Sequence, residues 1–306
     1  MTLHPTLQAM LDKAASARPL EDFTPEQIRA TDIRRFAEVP CPPVADVEDR
    51  MIPGPRGEMR IRIYRPDMDG ARPVVVFFHG SGFVICSIET HDGLCRQICL
   101  RAGVVVVSVD YALAPENPFP AGPDDALAAT LWVAANAAGF GGDPGRLALA
   151  GDSAGATMAI VTAMRLRDAG GPPIRAQLLM YPVTNYPDPA PPSYSLRGNG
   201  FGLTAGAMRY FWHHYLAMPA DAEHPHASPL RAPDLGNLPP AYIVTADYDP
   251  LRDEGEAYAA RLVTAGVETA FVRYTDMNHG FMQWAGVIDR VDEALDAACA
   301  WMATRL

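Results

Sequence analysis

The stretch LALAGDSAGATMAI, residues 147–160, decides the fold of this chain. A run of small and aliphatic residues ends at Gly151, and a helix-like pattern begins after Ser153. One serine therefore stands between Gly151 and Gly155, where a predicted strand meets a predicted helix. Such a junction is either an ordinary tight turn or a strained turn that exposes a reactive serine. The rest of the chain decides between these two interpretations.

Apolar runs without polar alternation recur on both sides of this stretch. They lie at Val74–Phe78, Val104–Val109, Leu147–Ala150, Leu178–Tyr181, Tyr242–Thr245 and Ala270–Arg273. Helical patterns lie between or after them, at residues 88–102, 123–138, 154–169, 250–265 and 286–304. Strands that are apolar throughout are buried on both faces, and strand–helix alternation indicates right-handed crossovers. The sequence therefore predicts an α/β fold with a mostly parallel central sheet and helices on both faces.

Two helical segments fall outside this alternation. Residues 1 to about 45 are amphipathic, and a Pro-rich loop leads into the aromatic-rich stretch LTAGAMRYFWHHYL at residues 203–216. No strand precedes the second stretch, so we predict an insertion over the carboxyl edge of the sheet, where ligands bind. The predicted domains are residues 1–50 as the N-terminal helical part of a cap, residues 185–225 as inserted cap helices, and residues 51–184 and 226–306 as the catalytic core.

Composition limits the partners and the location of the chain. Its 306 residues, 49% of them hydrophobic, are enough for one large α/β domain. A formal net charge of −11 argues against a nucleic-acid partner. The first residues do not resemble a signal peptide, and no apolar run approaches the roughly 20 residues of a membrane helix. The 5 cysteines form no CxxC pair, so we expect a cytoplasmic protein with reduced thiols and no membrane span.

A reactive serine needs a base to activate it and an acid to orient that base. In folds of this type the chain order is serine, acid and histidine, each on a loop after a strand. His279 follows the last apolar run and precedes a glycine, in a loop where a base can reach Ser153. Four other histidines lie in or next to the inserted segment and are predicted to be surface or packing residues: His213, His214, His224 and His226. No third ligand at a suitable spacing accompanies them, so we predict no metal site.

The candidate acids lie in the loop ADYDPL, residues 246–251, where Asp247 and Asp249 compete. Asp249 precedes a proline that can open a helix, which fixes the backbone of Asp249 at the end of the strand. This favours Asp249, and Asp247 is then structural. Asp276 is less favoured because it is close in sequence to His279.

An acyl-transfer site also needs hydrogen-bond donors for the oxyanion that forms on the substrate. The loop HGSGF, residues 79–83, follows the first apolar run, and Gly80 and Gly82 let its backbone approach a substrate oxygen closely. The amide of Ala154, directly after the serine, supplies a further donor. Ser81 lies in a Gly-rich loop without a strand-to-helix turn and is not expected to be the nucleophile. No phosphate loop or dinucleotide fingerprint occurs, so no cofactor is predicted.

Five ordered motifs resemble those of a known family over nearly the whole chain. They are FFHGSGF at residues 77–83, VDYALAPENPFPA at 109–121, GDSAGA at 151–156, DPLRDEG at 249–255 and NHGF at 278–281. The chain resembles the hormone-sensitive-lipase family of α/β-hydrolases, also called bacterial esterase family IV. The resemblance implies that Ser153 is the nucleophile, His279 the general base and Asp249 the orienting acid.

The resemblance also implies the remaining parts of the site. The backbone amides of Ser81, Gly82 and Ala154 would form the oxyanion hole, and both helical segments would form the cap. The acidic residues Asp253, Glu254 and Glu116 are interpreted as structural. No metal or cofactor is implied, and the resemblance allows a homodimer.

Two positions depart from the family pattern. Ala112 stands where the family usually has arginine, and Ser81 replaces the middle glycine of the family's HGGG loop. The side chain of Ser81 would either narrow the acyl site or offer one extra hydrogen bond, while its backbone amide is kept. Aromatic side chains that are candidates for the lining of the pocket are Phe83, Phe201, Phe211 and Trp212.

These observations predict a serine carboxylesterase that hydrolyses short- to medium-chain carboxylic esters through an acyl-enzyme. Its partner is then a small-molecule ester. An amidase or aryl-formamidase with the same Ser-His-Asp triad is an alternative, because no residue separates ester from amide substrates. A second alternative is a non-catalytic protein that binds a small ligand on the hydrolase fold.

Overall fold

The computed structural model describes residues 2–35 and 39–306 of the protein. Within these residues eight strands form one sheet: β1 Asp46–Gly54, β2 Gly57–Arg65, β3 Arg72–Phe78, β4 Val105–Val109, β5 Gly142–Asp152, β6 Ile174–Met180, β7 Ala241–Tyr248 and β8 Thr269–Asn278. Their spatial order is β1-β2-β4-β3-β5-β6-β7-β8. β2 runs antiparallel to β1 and β4, and all other neighbours are parallel. The predicted α/β fold with a mostly parallel sheet is confirmed.

Helices occur in every stretch where the sequence predicts one between strands. The helices are α1 Pro5–Ala14, α2 Pro25–Arg35, α3 Asp92–Ala102, α4 Ala121–Asn136, α5 Ala154–Ala169, α6 Pro192–Arg197, α7 Ala205–Tyr215, α8 Arg252–Thr264 and α9 Asp289–Ala303. Short 3-10 turns lie at Leu20–Asp22, Glu89–His91, Ala137–Phe140, Pro219–Glu223, Pro229–Arg231 and Phe281–Trp284. None of the helices in the described part of the chain combines the length and the apolar character needed to cross a membrane.

The central strand β3 explains why its apolar run shows no alternation. Successive residues of a strand point to opposite faces of the sheet. Val74 and Val76 belong to the apolar cluster that includes α4 and α5, whereas Val75 and Phe77 belong to the cluster that includes α3 and α9. Because helices cover both faces, both sets of side chains are buried.

The N-terminal helical segment ends earlier than the predicted boundary of residues 1–50. β1 begins at Asp46 and pairs with β2 through a hairpin whose ends are Gly54 and Gly57. This edge strand has mixed burial and no apolar run, so the sequence pattern does not reveal it. Residues 39–45 form no helix, and residues 36–38, also within the predicted helical segment, lie outside the described residues.

The N-terminal helices and α7 meet beside the carboxyl ends of the central strands. The phenol of Tyr210 on α7 donates a hydrogen bond to the carbonyl of Phe23 at 3.0 Å. The guanidinium of Arg29 on α2 donates to the carbonyls of Val84 at 2.7 Å and Ala114 at 2.6 Å. Val84 and Ala114 lie in the loops after β3 and β4, so these contacts join both helical segments to the edge of the sheet where the site lies.

Candidate active site

The junction between β5 and α5 is a strained turn. Ser153 has φ 54° and ψ −122°, a conformation that residues with a side chain rarely adopt. A Cβ atom at Gly155 would lie 1.9 Å from the carbonyl oxygen of Phe78, and one at Gly151 would lie 2.4 Å from the oxygen of Gly155. The start of α5 therefore packs too closely on the end of β3 for a side chain at Gly155, and too closely on the end of β5 for one at Gly151. The two glycines permit this close packing of the backbone. Ser153 lies between them, at the N-terminus of α5.

His279 and Asp249 form a line of hydrogen bonds with Ser153. His279 Nε2 lies 2.9 Å from Ser153 Oγ, and His279 Nδ1 lies 2.7 Å from Asp249 Oδ2. The amide of Leu251 donates to the other carboxylate oxygen, Asp249 Oδ1, at 2.8 Å. Asp249 is fully buried, whereas 13% of the His279 side chain is exposed. The carboxylate is thus fixed inside the protein, while part of the imidazole remains accessible.

The competing acids have other partners. Asp247 forms ion pairs with Arg197 at 2.9 Å and Arg252 at 3.1 Å. Asp276 lies 4.0 Å from Arg290. Of the three acids weighed from the sequence, Asp249 is the one that is bonded to His279.

The other histidines weighed from the sequence also have partners outside this line. The ring centroids of His213 and His214 on α7 lie 5.4 Å apart, and those of His224 and His226 lie 4.8 Å apart. Among the described residues, no group of three or more His, Cys, Asp or Glu side chains is arranged to hold a metal ion.

Backbone amides border Ser153 on the side of the loop after β3. Gly82 has a φ of 53° and Phe83 a φ of 68°, so two successive residues adopt the left-handed region. Within the described part of the chain, the amides of Ser81 and Gly82 donate to no protein acceptor. Ala154 is the first residue of α5, and the N–H of a first helical residue has no acceptor inside its own helix. These three amides are therefore available to a bound oxyanion.

A buried pair of Asp152 and His91, which sequence reasoning missed, holds this loop in place at Gly80. Asp152 Oδ1 accepts a hydrogen bond from the Gly80 amide at 2.7 Å and lies 3.1 Å from His91 Nε2. Burial raises the pKa of Asp152, but His91 and the Gly80 amide outweigh it and hold that pKa below its ordinary value. The aspartate of the GDSAG stretch was a visible signal for this role. No local pattern singles out His91.

The four aromatic candidates for the pocket occupy different places. Phe83 stacks on Tyr215 with ring centroids 3.8 Å apart and contacts Trp212 at 5.5 Å, all three being buried. Phe211 covers the loop after β3, since a Cβ atom at Gly82 would lie 2.4 Å from its ring. The carbonyl of Phe201 accepts a hydrogen bond from the Asn278 side chain at 2.9 Å, next to His279. Phe83 and Trp212 thus serve packing, whereas Phe211 and Phe201 border the loops of the site.

The combined geometry is that of a serine-dependent acyl-transfer site, in which an imidazole bridges a serine and a buried carboxylate. A family model described as alpha/beta hydrolase fold matches residues 75–283. The chain belongs to this family. Membership agrees with the resemblance to the hormone-sensitive-lipase family that the motifs indicate.

Two relatives and one solved structure are similar to the chain along nearly their whole length. The chain is 43% identical over 297 residues to the esterase LipI of Mycobacterium tuberculosis, covering 95% of this chain and 92% of the relative. It is 34% identical over 310 residues to an ethyl acetate hydrolase of Pseudomonas putida, covering 96% of each. The solved structure of a hyperthermophilic esterase from the archaeon Pyrobaculum calidifontis has a TM-score of 0.92 and 41% identity, covering 99% of each chain.

Proposed function

We propose that this protein is a serine carboxylesterase that hydrolyses short- to medium-chain carboxylic esters through an acyl-enzyme. The observation that carries the proposal is the continuous line from Ser153 Oγ through His279 to Asp249, with separations of 2.9 and 2.7 Å. The names of its relatives support the same class, because they include an esterase and an ethyl acetate hydrolase. The hydrolysis needs only the ester, water and these side chains.

In the first half of the reaction, Ser153 Oγ attacks the ester carbonyl while His279 Nε2 accepts the hydroxyl proton. Nδ1–H of the same ring donates to Asp249 Oδ2, which holds the required tautomer and stabilises the imidazolium. Because the Leu251 amide already fixes the other oxygen of Asp249, the carboxylate cannot rotate away freely. His279 then gives the proton to the departing alkoxide, which leaves as the alcohol.

In the second half, His279 deprotonates a water molecule that attacks the acyl-enzyme carbonyl, and Ser153 leaves with the proton restored. The negative oxygen of each tetrahedral intermediate accepts hydrogen bonds from the amides of Ser81, Gly82 and Ala154. The left-handed Gly82 and the helix N-terminus at Ala154 support this assignment.

We also propose that α1, α2 and the inserted residues 185–225 act as a cap that limits the acyl group. The contacts of Arg29 with Val84 and of Tyr210 with Phe23 support one joined covering unit. The ring of Phe211 over Gly82 supports a short acyl site, because it fills space directly above the oxyanion loop. The acetyl ester named for the Pseudomonas putida relative agrees with this size.

Location and assembly belong to the same proposal. We propose a cytoplasmic protein, because the five cysteines of the sequence include no CxxC pair and a reducing compartment keeps such thiols reduced. A homodimer is proposed on the exposed apolar side chain of Phe271 on the edge strand β8. Light scattering of the purified protein measures the assembly state, and a monomer at all concentrations contradicts the proposed homodimer.

The proposed function is tested with p-nitrophenyl esters from acetyl to dodecanoyl, with wild type and Ser153→Ala side by side. Turnover is expected to peak at a short chain and to vanish in the Ser153→Ala variant. Ser195→Ala is the matched control, because Ser195 is an exposed serine on α6 and its loss is expected to change nothing. A wild-type protein that hydrolyses anilides or formanilides but no ester is an amidase instead. One that hydrolyses neither but binds a small ligand is the non-catalytic alternative.

A further inference from the structure

The loop that supplies two of the oxyanion amides is held in an unfavourable backbone conformation. Gly82 and Phe83 both lie in the left-handed region, with φ 53° and φ 68°. Glycine adopts this region freely, but a bulky residue such as phenylalanine does not. Such a conformation persists only where the surrounding structure over-determines it. Some interaction must therefore compensate for the strain at Phe83.

A chain of three hydrogen bonds runs through this loop. The amide of Phe83 donates to Ser81 Oγ at 2.8 Å. Ser81 Oγ lies 2.6 Å from Tyr111 Oη, and Tyr111 Oη donates to the carbonyl of His79 at 2.7 Å. Tyr111 comes from the loop after β4, so the chain ties the strained loop to a second, neighbouring loop.

The direction of each hydrogen bond follows from the number of hydroxyl protons that are available. Tyr111 has one hydroxyl proton, which it donates in a hydrogen bond to the carbonyl of His79, because a carbonyl can only accept. Ser81 must then donate its own proton to Tyr111 Oη. Burial raises the pKa of Tyr111 well above its ordinary value, so the phenol keeps the proton that this order requires. Ser81 Oγ–H consequently cannot donate to a substrate carbonyl while it is committed to Tyr111.

Solvent has little access to these hydrogen bonds. The residues that form these hydrogen bonds are buried, with 4% exposure at Ser81, 3% at Tyr111 and 2% at Phe83. Hydrogen bonds that follow one another in a buried environment polarise and strengthen each other, and an unpaired group there is costly. The ring of His79 also stacks on that of Tyr111 with centroids 4.6 Å apart, which fixes the far end of the chain.

We propose that the Ser81 hydroxyl and Tyr111 are positioning residues that aim the amides of Ser81 and Gly82 at the substrate oxyanion. The proposal rests on the proposed esterase function and adds a role for the serine that departs from the family's glycine. Ser81 acts through the backbone of its own loop and does not select the acyl group. Because the amides meet full negative charge only in the transition state, their misplacement lowers kcat and leaves KM nearly unchanged.

The test is a double-mutant cycle of Ser81→Ala, Tyr111→Phe and the combined variant on p-nitrophenyl acetate. Each single change is expected to lower kcat by about tenfold, a fraction of what loss of a whole oxyanion donor costs, with KM within about twofold. The double variant is expected to lose little more than either single variant, because both changes break the same chain. Thr130→Val is the matched control, since it removes a buried hydroxyl on α4 that bonds only within its own helix.

A second measurement separates the failure of this proposal from the failure of the proposed function. Diethyl 4-nitrophenyl phosphate phosphorylates an activated serine and releases 4-nitrophenol, so its second-order rate reports the oxyanion site without ester turnover. The released 4-nitrophenol also counts intact sites, so kcat is expressed per folded enzyme. If Ser81→Ala fails to fold, Tyr111→Phe alone carries the test.

Three results overturn the positioning role. The first is a variant with wild-type kcat and a wild-type phosphorylation rate. The second is an increase in KM at constant kcat, and the third is a double variant whose losses multiply. If wild type hydrolyses no ester but is phosphorylated, the proposed function fails while the phosphorylation rates of the variants still decide the positioning role. A wild-type protein that reacts with neither probe overturns both.

Discussion

The loop that carries His279 and the loop that carries Ser81 both border the turn at Ser153, but they are held by different means. The His279 loop acts through a side chain, whose orientation is set by one direct bond to a buried carboxylate. The Ser81 loop offers backbone amides, and its shape depends on Asp152 under Gly80 and on the hydroxyl chain through Tyr111. In the proposed mechanism, one loop places the proton acceptor and the other places backbone amides for the oxyanion.

This difference affects how each loop should fail. A missing imidazole removes a chemical step, so the loss is nearly complete and does not depend on small shifts of the backbone. A loosened amide still donates, only at a poorer angle and distance, so the loss is partial and geometric. Changes that disable the imidazole should therefore cost orders of magnitude more activity than changes that loosen the Ser81 loop.

Replacement of the acid is expected to have the largest effect on catalysis. Asp249→Asn keeps the shape of the side chain but favours the wrong tautomer of His279, so kcat should fall by about 10⁴-fold. Asp247→Asn is the matched control two residues away, because Asp247 is paired with Arg197 and Arg252 and has no bond to His279. Steady-state kinetics on p-nitrophenyl acetate measures both. An equal loss in both variants, or an active Asp249→Asn, would overturn the assignment of the acid.

The strained turn itself is tested by adding one methyl group. Gly155→Ala is expected to lower the free energy of unfolding by about 3 kcal/mol or more, because the new Cβ would overlap the Phe78 carbonyl. Gly139→Ala is the control, since a Cβ there meets nothing within 4 Å and should change stability by no more than about 0.5 kcal/mol. Urea unfolding followed by fluorescence measures both. A Gly155→Ala variant as stable and active as wild type would show that α5 and β3 do not pack this closely.

Much of this arrangement can be predicted from the sequence because it is encoded locally. Gly151, Ser153 and Gly155 lie within one pentapeptide, and the proline after Asp249 distinguishes it from Asp247. Long apolar runs also predict the buried strands, since their composition is set by cover on both faces. In each of these features the residues that carry the signal are neighbours in the chain.

The remaining features depend on contacts between residues far apart in sequence. Gly80 and Asp152 are 72 residues apart, and Ser81 and Tyr111 are 30 residues apart, so no spacing rule connects them. The edge strand β1 escapes prediction for the same reason, because the pairing partner that stabilises it leaves no apolar run within it. The arrangement of the loop after β3 is thus the part of the site least visible to sequence reasoning.

Glu254 is a second buried carboxyl group near Asp249, and backbone amides hold it in place as well. Glu254 Oε1 accepts hydrogen bonds from the amides of Thr184 at 2.8 Å and Asn185 at 3.2 Å. Burial nevertheless raises the pKa of Glu254 from 4.5 to about 8. The folded protein then holds more protons than the unfolded chain between these two values, so the stability from this group is full below pH 4.5 and falls as the pH rises to about 8.

The smallest expected effect follows from the raised pKa of Glu254, which makes stability fall as the pH rises. Between pH 6 and pH 9 wild type should lose roughly 2–3 kcal/mol of stability relative to Glu254→Gln, because the amide carries no charge to bury and its oxygen can still accept both backbone hydrogen bonds. Glu256→Gln is the control on the same helix, since Glu256 pairs with Arg273 at the surface. Urea unfolding at the two pH values measures the difference, and groups common to all variants cancel. If wild type and Glu254→Gln show the same pH dependence, Glu254 is ionised in the folded protein, and the two amide tethers are strong enough to hold a buried charge beside the acid loop.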